Sequence, residues 1–246
     1  MKKVAIIPGD GIGVEVTRQA VKVLRRVADA VGPVLELVDW DLGAERYLRT
    51  GTAITDDELT ELGTAYDAIF LGALGDPRVP DHAHARAILL GLRFSLDLYI
   101  NLRPVRLYDA SLSPLRDVGP DDVDFVIFRE NTEGVYVGVG GQFKKGTPDE
   151  IAIEEDISTR KGVERIIRAA FTFARERGRR RVTLTDKANA MPHAGELWRR
   201  VFSEVRDEFA DVPSDAVYAD ALALDLVRRP GRYDVIVASN LFGDLL

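Results

Sequence analysis

The stretch Lys3-Val4-Ala5-Ile6-Ile7-Pro8-Gly9-Asp10-Gly11-Ile12-Gly13 decides the class of fold. Its first five residues predict a buried strand, and its glycine-rich turn leads into residues 14–31, whose apolar side chains recur at helical spacing. A strand that enters a helix through a tight turn begins a βαβ crossover. The glycines do not follow the G-x-G-x-x-G spacing of a Rossmann fingerprint, and Glu15 would repel a pyrophosphate at the helix start.

Strand and helix patterns alternate along most of the rest of the chain. Apolar strand patterns occur at residues 34–38, 66–71, 125–128, 182–185 and 234–237, and helical patterns at 161–177 and 195–209. Thr55 and Glu58 form a capping-box pattern, which predicts a short helix after Thr55. The alternation predicts an α/β fold with a largely parallel sheet.

The character of the chain changes near residue 100. Residues 99–105 are extended, and residues 136–146 are glycine-rich with alternating valines, typical of a hairpin. Residues 151–157 alternate weakly and could pair with them, so an arm is expected over about 136–158. We therefore expect a first α/β domain at 1–100 and a second at 101–246.

Composition excludes several classes of function. The chain has 246 residues, of which 46% are hydrophobic and 30% charged, with a formal net charge of -7. This acidity opposes a nucleic-acid or anionic-membrane partner. The absence of cysteine is consistent with a reducing cytoplasm. The apolar run at the N-terminus is too short for a signal peptide or a membrane span.

Three arginines lie in short motif-like contexts: Arg93, Arg103 and Arg129. Arg129 ends an apolar strand and Arg103 lies in an extended apolar stretch, so neither is on an obviously solvated helix face. Guanidinium groups bind carboxylates in a bidentate manner, so three converging ones would suit a di- or tricarboxylate. The alternative is three unrelated ion pairs. The arginine-rich run at residues 175–181 is interpreted differently, as a solvated helix end.

Two aspartates are candidate ligands for a hard divalent cation. Asp220 follows an extended stretch and opens an apolar helix, and Asp244 lies near the last residue, Leu246. Carboxylates at element ends can hold such an ion. A third oxygen donor is commonly needed from the next helical turn, which would lie beyond Leu246.

Tyr136 and Lys187 are the candidate acid–base groups. Lys187 follows a predicted strand, where ligand sites of α/β proteins gather, and a lysine there can transfer protons. A salt bridge from Lys187 to Asp186 or another acid is the alternative, and an isolated tyrosine is more often structural. His82 and His84 stand in a turn-like segment, on opposite sides if it is extended, and are not expected to bind a metal.

Five motifs occur in order along the chain: Pro8 to Gly13, Asn101-Leu102-Arg103-Pro104, Arg129 to Tyr136, Asp186-Lys187-Ala188-Asn189, and Asn240 to Asp244. Together they resemble the β-decarboxylating dehydrogenase family, which oxidises a 2-hydroxy acid with NAD(P) and then releases the β-carboxylate as carbon dioxide. Val14 departs from the family, which usually has proline there. The resemblance implies the family's own two-domain α/β fold, the isopropylmalate/isocitrate dehydrogenase-like fold, which is not a Rossmann fold.

The resemblance also implies roles for individual residues. Arg93, Arg103 and Arg129 would clamp the substrate carboxylates, while Asp220 and Asp244 would hold Mg²⁺ or Mn²⁺. Lys187 would help to deprotonate the hydroxyl, and Tyr136 would protonate the enol carbon. Lys187 and Asp220 would reach the site of the partner subunit, which implies a homodimer. The residues expected to touch NAD are Ile12, Gly72, Ala73, Leu74 and Asn189.

The helix before Arg93 bears on the choice of substrate. Leu89 and Leu90 make it apolar where isocitrate enzymes of the family offer a serine, so the expected substrate is 3-isopropylmalate, converted to 4-methyl-2-oxopentanoate in leucine biosynthesis. Tartrate or D-malate is the alternative, followed by homoisocitrate or isocitrate. Members of the family continue beyond the point that corresponds to Leu246, so we expect an incomplete first domain. A dimerising fragment without activity is the non-enzyme alternative.

Overall fold

The computed structural model describes residues 1–246, which form two compact units, Met1–Asp97 and Leu98–Leu246. The first unit contains a parallel three-stranded sheet of order β2-β1-β3. Its elements are β1 Lys2–Ile7, α1 Ile12–Val31, β2 Leu35–Asp39, α2 Ala44–Thr50, α3 Asp56–Ala65, β3 Ala68–Leu71 and α4 Ala83–Ser95.

The core of the first unit lies between the sheet and α3 and α4. Ala5 and Ile7 of β1 pack there with Leu62 of α3 and Ile88 of α4. The capping box of α3 is confirmed, because the hydroxyl of Thr55 accepts the N–H of Glu58 and the Glu58 carboxylate accepts the N–H of Thr55. These reciprocal bonds fix where α3 begins.

The second unit contains a five-stranded sheet of order β4-β5-β10-β8-β9. All neighbouring strands are parallel except β4 and β5. Its elements are β4 Ile100–Arg106, β5 Asp124–Glu130, β6 Gly140–Phe143, β7 Ile151–Glu154, α5 Arg160–Glu176, β8 Val182–Asp186, α6 Pro192–Glu208, β9 Ser214–Tyr218, α7 Ala219–Arg228, β10 Val235–Ala238 and α8 Asn240–Leu245.

Helices cover both faces of this sheet. Val126 and Phe128 of β5 join the core under α5 and α6, while Phe125 and Ile127 pack with Leu222 of α7 on the other face. Alternate residues of a strand point to opposite faces, so a strand covered on both sides is apolar throughout. The predicted α/β class with a largely parallel sheet is confirmed.

The structure differs from the sequence predictions in detail around the arm. β6 and β7 pair antiparallel and every residue in them is exposed, as a hairpin requires. Tyr136, however, precedes the hairpin in a 3-10 turn, Gly134–Val137, because Gly134 has a φ of 81° that breaks the extended chain. His84 does not lie in an irregular turn-like segment, as the sequence suggested, but is the second residue of helix α4. No helix has the combination of length and apolar character that a membrane crossing requires.

Candidate active site

The second unit places polar side chains at the carboxyl ends of its parallel strands. Arg129 lies near the end of β5, Lys187 follows β8, Asp220 opens the helix after β9, and Asp244 lies on α8 after β10. Carboxyl ends of parallel strands meet at one edge of a sheet, where ligands of α/β proteins bind. The fold therefore brings these four predicted site residues of the second unit to the same edge of the sheet.

Asp244 is the centre of a cluster of four predicted site residues. Its Oδ1 accepts hydrogen bonds from Nη1 of Arg129 and, at 3.3 Å, from Nη2 of Arg103. Its Oδ2 accepts the phenol of Tyr136 at 2.8 Å. Arg103 and Arg129 thus share one acceptor and are not unrelated ion pairs.

Arg129 is held rigidly although it is charged. Its side chain is 2% exposed, its Nε donates to Oδ1 of Asn240 at 2.9 Å, and its guanidinium lies 5.2 Å from the centre of the Tyr136 ring. Helix α8 approaches it closely, because a Cβ on Gly243 would lie 2.6 Å from Cβ of Arg129. A buried guanidinium with fixed partners presents its remaining donors in one direction.

Asn240 links Arg129 to the loop that carries Tyr136, and it was not predicted as a functional residue from the sequence. Besides accepting from Arg129, it donates from Nδ2 to the carbonyl oxygen of Glu133 at 2.8 Å, and it is 1% exposed. The Glu133 carboxylate accepts the N–H of Thr159 at 2.8 Å, which anchors the loop that carries Tyr136. The sequence signal that could have identified Asn240 is its position as a polar residue that opens a short helix after a buried strand.

Electrostatics separate the protonation states of Asp244 and Tyr136. Burial favours the uncharged acid, but the Tyr136 hydrogen bond and the positive charges of Arg129 and Arg103 lower the pKa of Asp244 below 3.8. Burial and the nearby Asp244 raise the pKa of Tyr136 above 10.0. At neutral pH the first is a carboxylate and the second a protonated phenol, a proton donor.

Lys187 and Asp220 form a second cluster at the same edge. Nζ of Lys187 lies 2.5 Å from Oδ1 of Asp220, and this hydrogen bond lowers the pKa of Asp220. Asp186, the acid considered first from the sequence, binds Arg199 at 2.6 Å instead. The acidic partner of Lys187 is therefore Asp220, one of the two predicted metal ligands, and not Asp186, its neighbour in sequence.

The predicted metal ligands do not form a complete site within one chain. Asp220 and Asp244 have the oxygen chemistry that Mg²⁺ or Mn²⁺ prefers. Their partners are different, however, and no three His, Asp or Glu side chains gather closely enough to hold an ion. The oxygen donors of Asp220 and Asp244 fit a divalent cation, but in this chain the two carboxylates belong to separate clusters.

The remaining predicted residues are placed as follows. Leu89, Leu90 and Arg93 lie on α4 of the first unit, where Leu89 is exposed and the other two are half-buried. Ile12, at the start of α1, is 67% exposed, and residues 72–74 follow β3. Asn189 is exposed in the turn after Lys187 in the second unit.

Comparisons with known proteins identify the family of the chain. The sequence profile described as "Isocitrate/isopropylmalate dehydrogenase" matches residues 3–246. A 3-isopropylmalate dehydrogenase of Corynebacterium kroppenstedtii is 49% identical over 245 residues, which are 99% of this chain and 70% of the relative. One of Thermobifida fusca is 48% identical over 244 residues, 99% of this chain and 69% of the relative.

A solved structure has the same fold. The crystal structure of isocitrate dehydrogenase from Methylococcus capsulatus superposes with a TM-score of 0.85 at 34% identity, covering 100% of this chain and 68% of that one. Profile, relatives and structure match essentially the whole chain. The chain belongs to the isocitrate/isopropylmalate dehydrogenase family.

Proposed function

We propose that this protein catalyses the NAD-dependent oxidative decarboxylation of a 2-hydroxy dicarboxylic acid, namely 3-isopropylmalate, to 4-methyl-2-oxopentanoate and carbon dioxide. In leucine biosynthesis this reaction supplies the carbon skeleton. The proposal is supported by family membership and by relatives named 3-isopropylmalate dehydrogenase. The observation that carries it is the convergence of Arg103, Arg129 and Tyr136 on Asp244.

The arginines bind the substrate carboxylates in this proposal. Arg129 is fixed by Asn240, so its position does not depend on the substrate. Arg103 is more exposed and lies 3.3 Å from Asp244, which leaves it able to turn toward a ligand. Two guanidinium groups beside each other favour a dianion over a monoanion.

Proton transfer falls to Lys187 and Tyr136. NAD⁺, when bound, would accept the hydride from the carbon that bears the hydroxyl, and Lys187 would act as the base that takes up the hydroxyl proton. Loss of the β-carboxylate as carbon dioxide leaves an enolate, and the Tyr136 phenol donates a proton to its carbon. This step gives the ketone and a tyrosinate, which regains a proton from solvent. The raised pKa of Tyr136 keeps its proton on the phenol until this transfer.

The proposed divalent ion would be held by the carboxylates of Asp244 and Asp220. When bound, such an ion supplies Lewis-acid stabilisation of negative charge on the substrate oxygen. Asp244 is ionised at neutral pH, as a ligand must be. Arg129 and Arg103, through their bonds to Oδ1, would keep the Asp244 carboxylate oriented for such an ion.

We further propose that the complete site contains residues of two chains. Lys187 and Asp220 of one copy would join Asp244 of a second copy, which accounts for two separate clusters in one chain. The arm supports association because Phe143, Ile151 and Ile153 expose 62%, 47% and 50% of their surfaces. Exposed apolar residues in a row are typical of interaction surfaces.

Subunit complementation tests the shared site. We expect Asp220→Asn and Asp244→Asn to be inactive separately. In a hybrid dimer one site would combine the intact Asp244 of one chain with the intact Asp220 of the other. Random mixing by co-expression should therefore restore about a quarter of wild-type NADH formation, since half of the dimers are hybrids with one working site of two. An inactive mixture of folded dimers would contradict the shared site.

The choice of substrate is tested by turnover of 3-isopropylmalate, D-malate and isocitrate side by side. Leu89 and Leu90 provide an apolar surface for the isopropyl group. Burying its three carbons is worth about 2 kcal/mol, or roughly thirtyfold in kcat/KM over D-malate. NADH absorbance measures each rate. A higher kcat/KM with D-malate would make D-malate the substrate instead of 3-isopropylmalate. If none of the three acids gave NADH, the result would support an inactive dimerising fragment.

A further inference from the structure

A buried histidine–aspartate pair lies in the first unit and takes no part in the proposed chemistry. His84 is 0% exposed, and its Nε2 lies 2.7 Å from Oδ2 of Asp10, which is 8% exposed. The other ring nitrogen, Nδ1, is buried without a hydrogen-bond partner, and the nearest ring, Tyr47, is 6.0 Å away between centroids. Asp10 is thus the polar partner of this imidazole.

The same carboxylate holds the backbone of two further segments. Oδ1 of Asp10 accepts the N–H of Ala44 at 2.6 Å, at the start of α2. Oδ2 accepts the N–H of Gly75 at 2.9 Å, and the N–H of Asp10 donates to the carbonyl of Ala73 at 2.7 Å. Asp10 therefore fixes the turn at residues 72–75, three of whose members are expected to contact the cofactor.

This turn has little freedom to move independently of residues 8–13. A Cβ on Gly13 would lie 2.5 Å from the carbonyl oxygen of Ala73, and one on Gly72 would lie 2.1 Å from the carbonyl oxygen of Pro8. Glycine is required where two backbones approach this closely. A small displacement of Asp10 is therefore transmitted to the turn.

Asp10 is a charged acceptor. Burial favours its uncharged form, but the N–H groups of Ala44 and Gly75 and the imidazole of His84 lower its pKa below 3.8. A carboxylate accepts and does not donate, so Nε2 of His84 must carry the hydrogen. Without His84, Oδ2 would keep the Gly75 N–H as its one donor in a buried setting, where lost hydrogen bonds are costly.

We propose that His84 is a positioning residue, which acts through Asp10 to hold the turn at residues 72–75 in place for the dinucleotide. The expected change in the KM for NAD rests on the proposed function, whereas the expected loosening of the turn does not.

The experiment compares His84→Phe and His84→Gln with the parent in the full chain. Phenylalanine fills the cavity without a donor, whereas the glutamine amide can replace Nε2. Amide hydrogen exchange at Gly75 and Ala44 should be about tenfold faster in His84→Phe and close to the parent in His84→Gln. The KM for NAD should rise about tenfold with the KM for the hydroxy acid unchanged. Leu62→Val, in the core of the same unit, is the matched control for lost packing.

Each outcome decides the inference. Equal exchange at Gly75 in His84→Phe and the parent, or faster exchange across the whole first unit as in Leu62→Val, would make His84 an ordinary core residue. If His84→Phe does not fold, His84→Leu removes the same donor with a smaller side chain. A parent without dehydrogenase activity would overturn the proposed function alone, since the exchange at Gly75 still tests the contact.

Discussion

Replacing Arg129 with lysine is expected to lower kcat/KM roughly 30- to 1,000-fold, although the charge is kept. A lysine cannot reproduce the planar fork that binds Asn240 and Asp244 together. Arg129 and Asn240 are both almost fully buried, so Asn240 would lose its hydrogen bond without gaining water. A loss of 2–4 kcal/mol, roughly 30- to 1,000-fold in kcat/KM, is usual for one buried charged partner.

The measurement is initial NADH formation with 3-isopropylmalate as the varied substrate. Arg168→Lys is the matched control, because Arg168 makes surface ion pairs with Glu164 and Glu208 and such pairs contribute little. Thermal melting separates a damaged site from a damaged fold. A kcat/KM within threefold of the wild type for Arg129→Lys would remove Arg129 from the substrate site.

The regular fold could be predicted from the sequence because its signals are local. Apolar strands and helical spacing of apolar residues report burial directly, and Thr55 with Glu58 marks the start of α3. The antiparallel pairing of β4 with β5 is not local. It depends on the connection at residues 107–123, which returns the chain along the sheet edge and has no periodic pattern.

The charged residues of the candidate site could be predicted from the sequence, but the polar residues that hold them in position could not. Arg103, Arg129 and Asp244 are charged residues in apolar contexts, which is a signal that a sequence carries. Asn240 acts by joining Arg129 to the Glu133 carbonyl, a contact across more than a hundred positions. His84 gave a misleading signal, because its place in a helix depends on the tertiary packing of α4.

Tyr136→Phe is expected to reduce kcat by a factor of about 10² to 10⁴ while substrate still binds, because the phenol would be the acid that protonates the enol carbon. The hydroxyl is well placed for this role, 2.8 Å from Asp244 and with a raised pKa. Its loss removes a hydrogen bond that lowers the pKa of Asp244, so that pKa should rise. Tyr108→Phe, at a residue 79% exposed, is the control for removing a phenolic hydroxyl.

Turnover in D₂O distinguishes a proton donor from a residue that only orients Asp244. The wild type should place one deuterium at C3 of 4-methyl-2-oxopentanoate with a single stereochemistry, because Tyr136 exchanges its proton with solvent and delivers it from one face. In Tyr136→Phe the enol would take its proton from water without facial preference, and NMR of the product, after conversion to a chiral derivative, would show both configurations at C3. Retained stereochemistry at a reduced rate would assign the proton to another group and leave Tyr136 as an orienting residue for the Asp244 carboxylate.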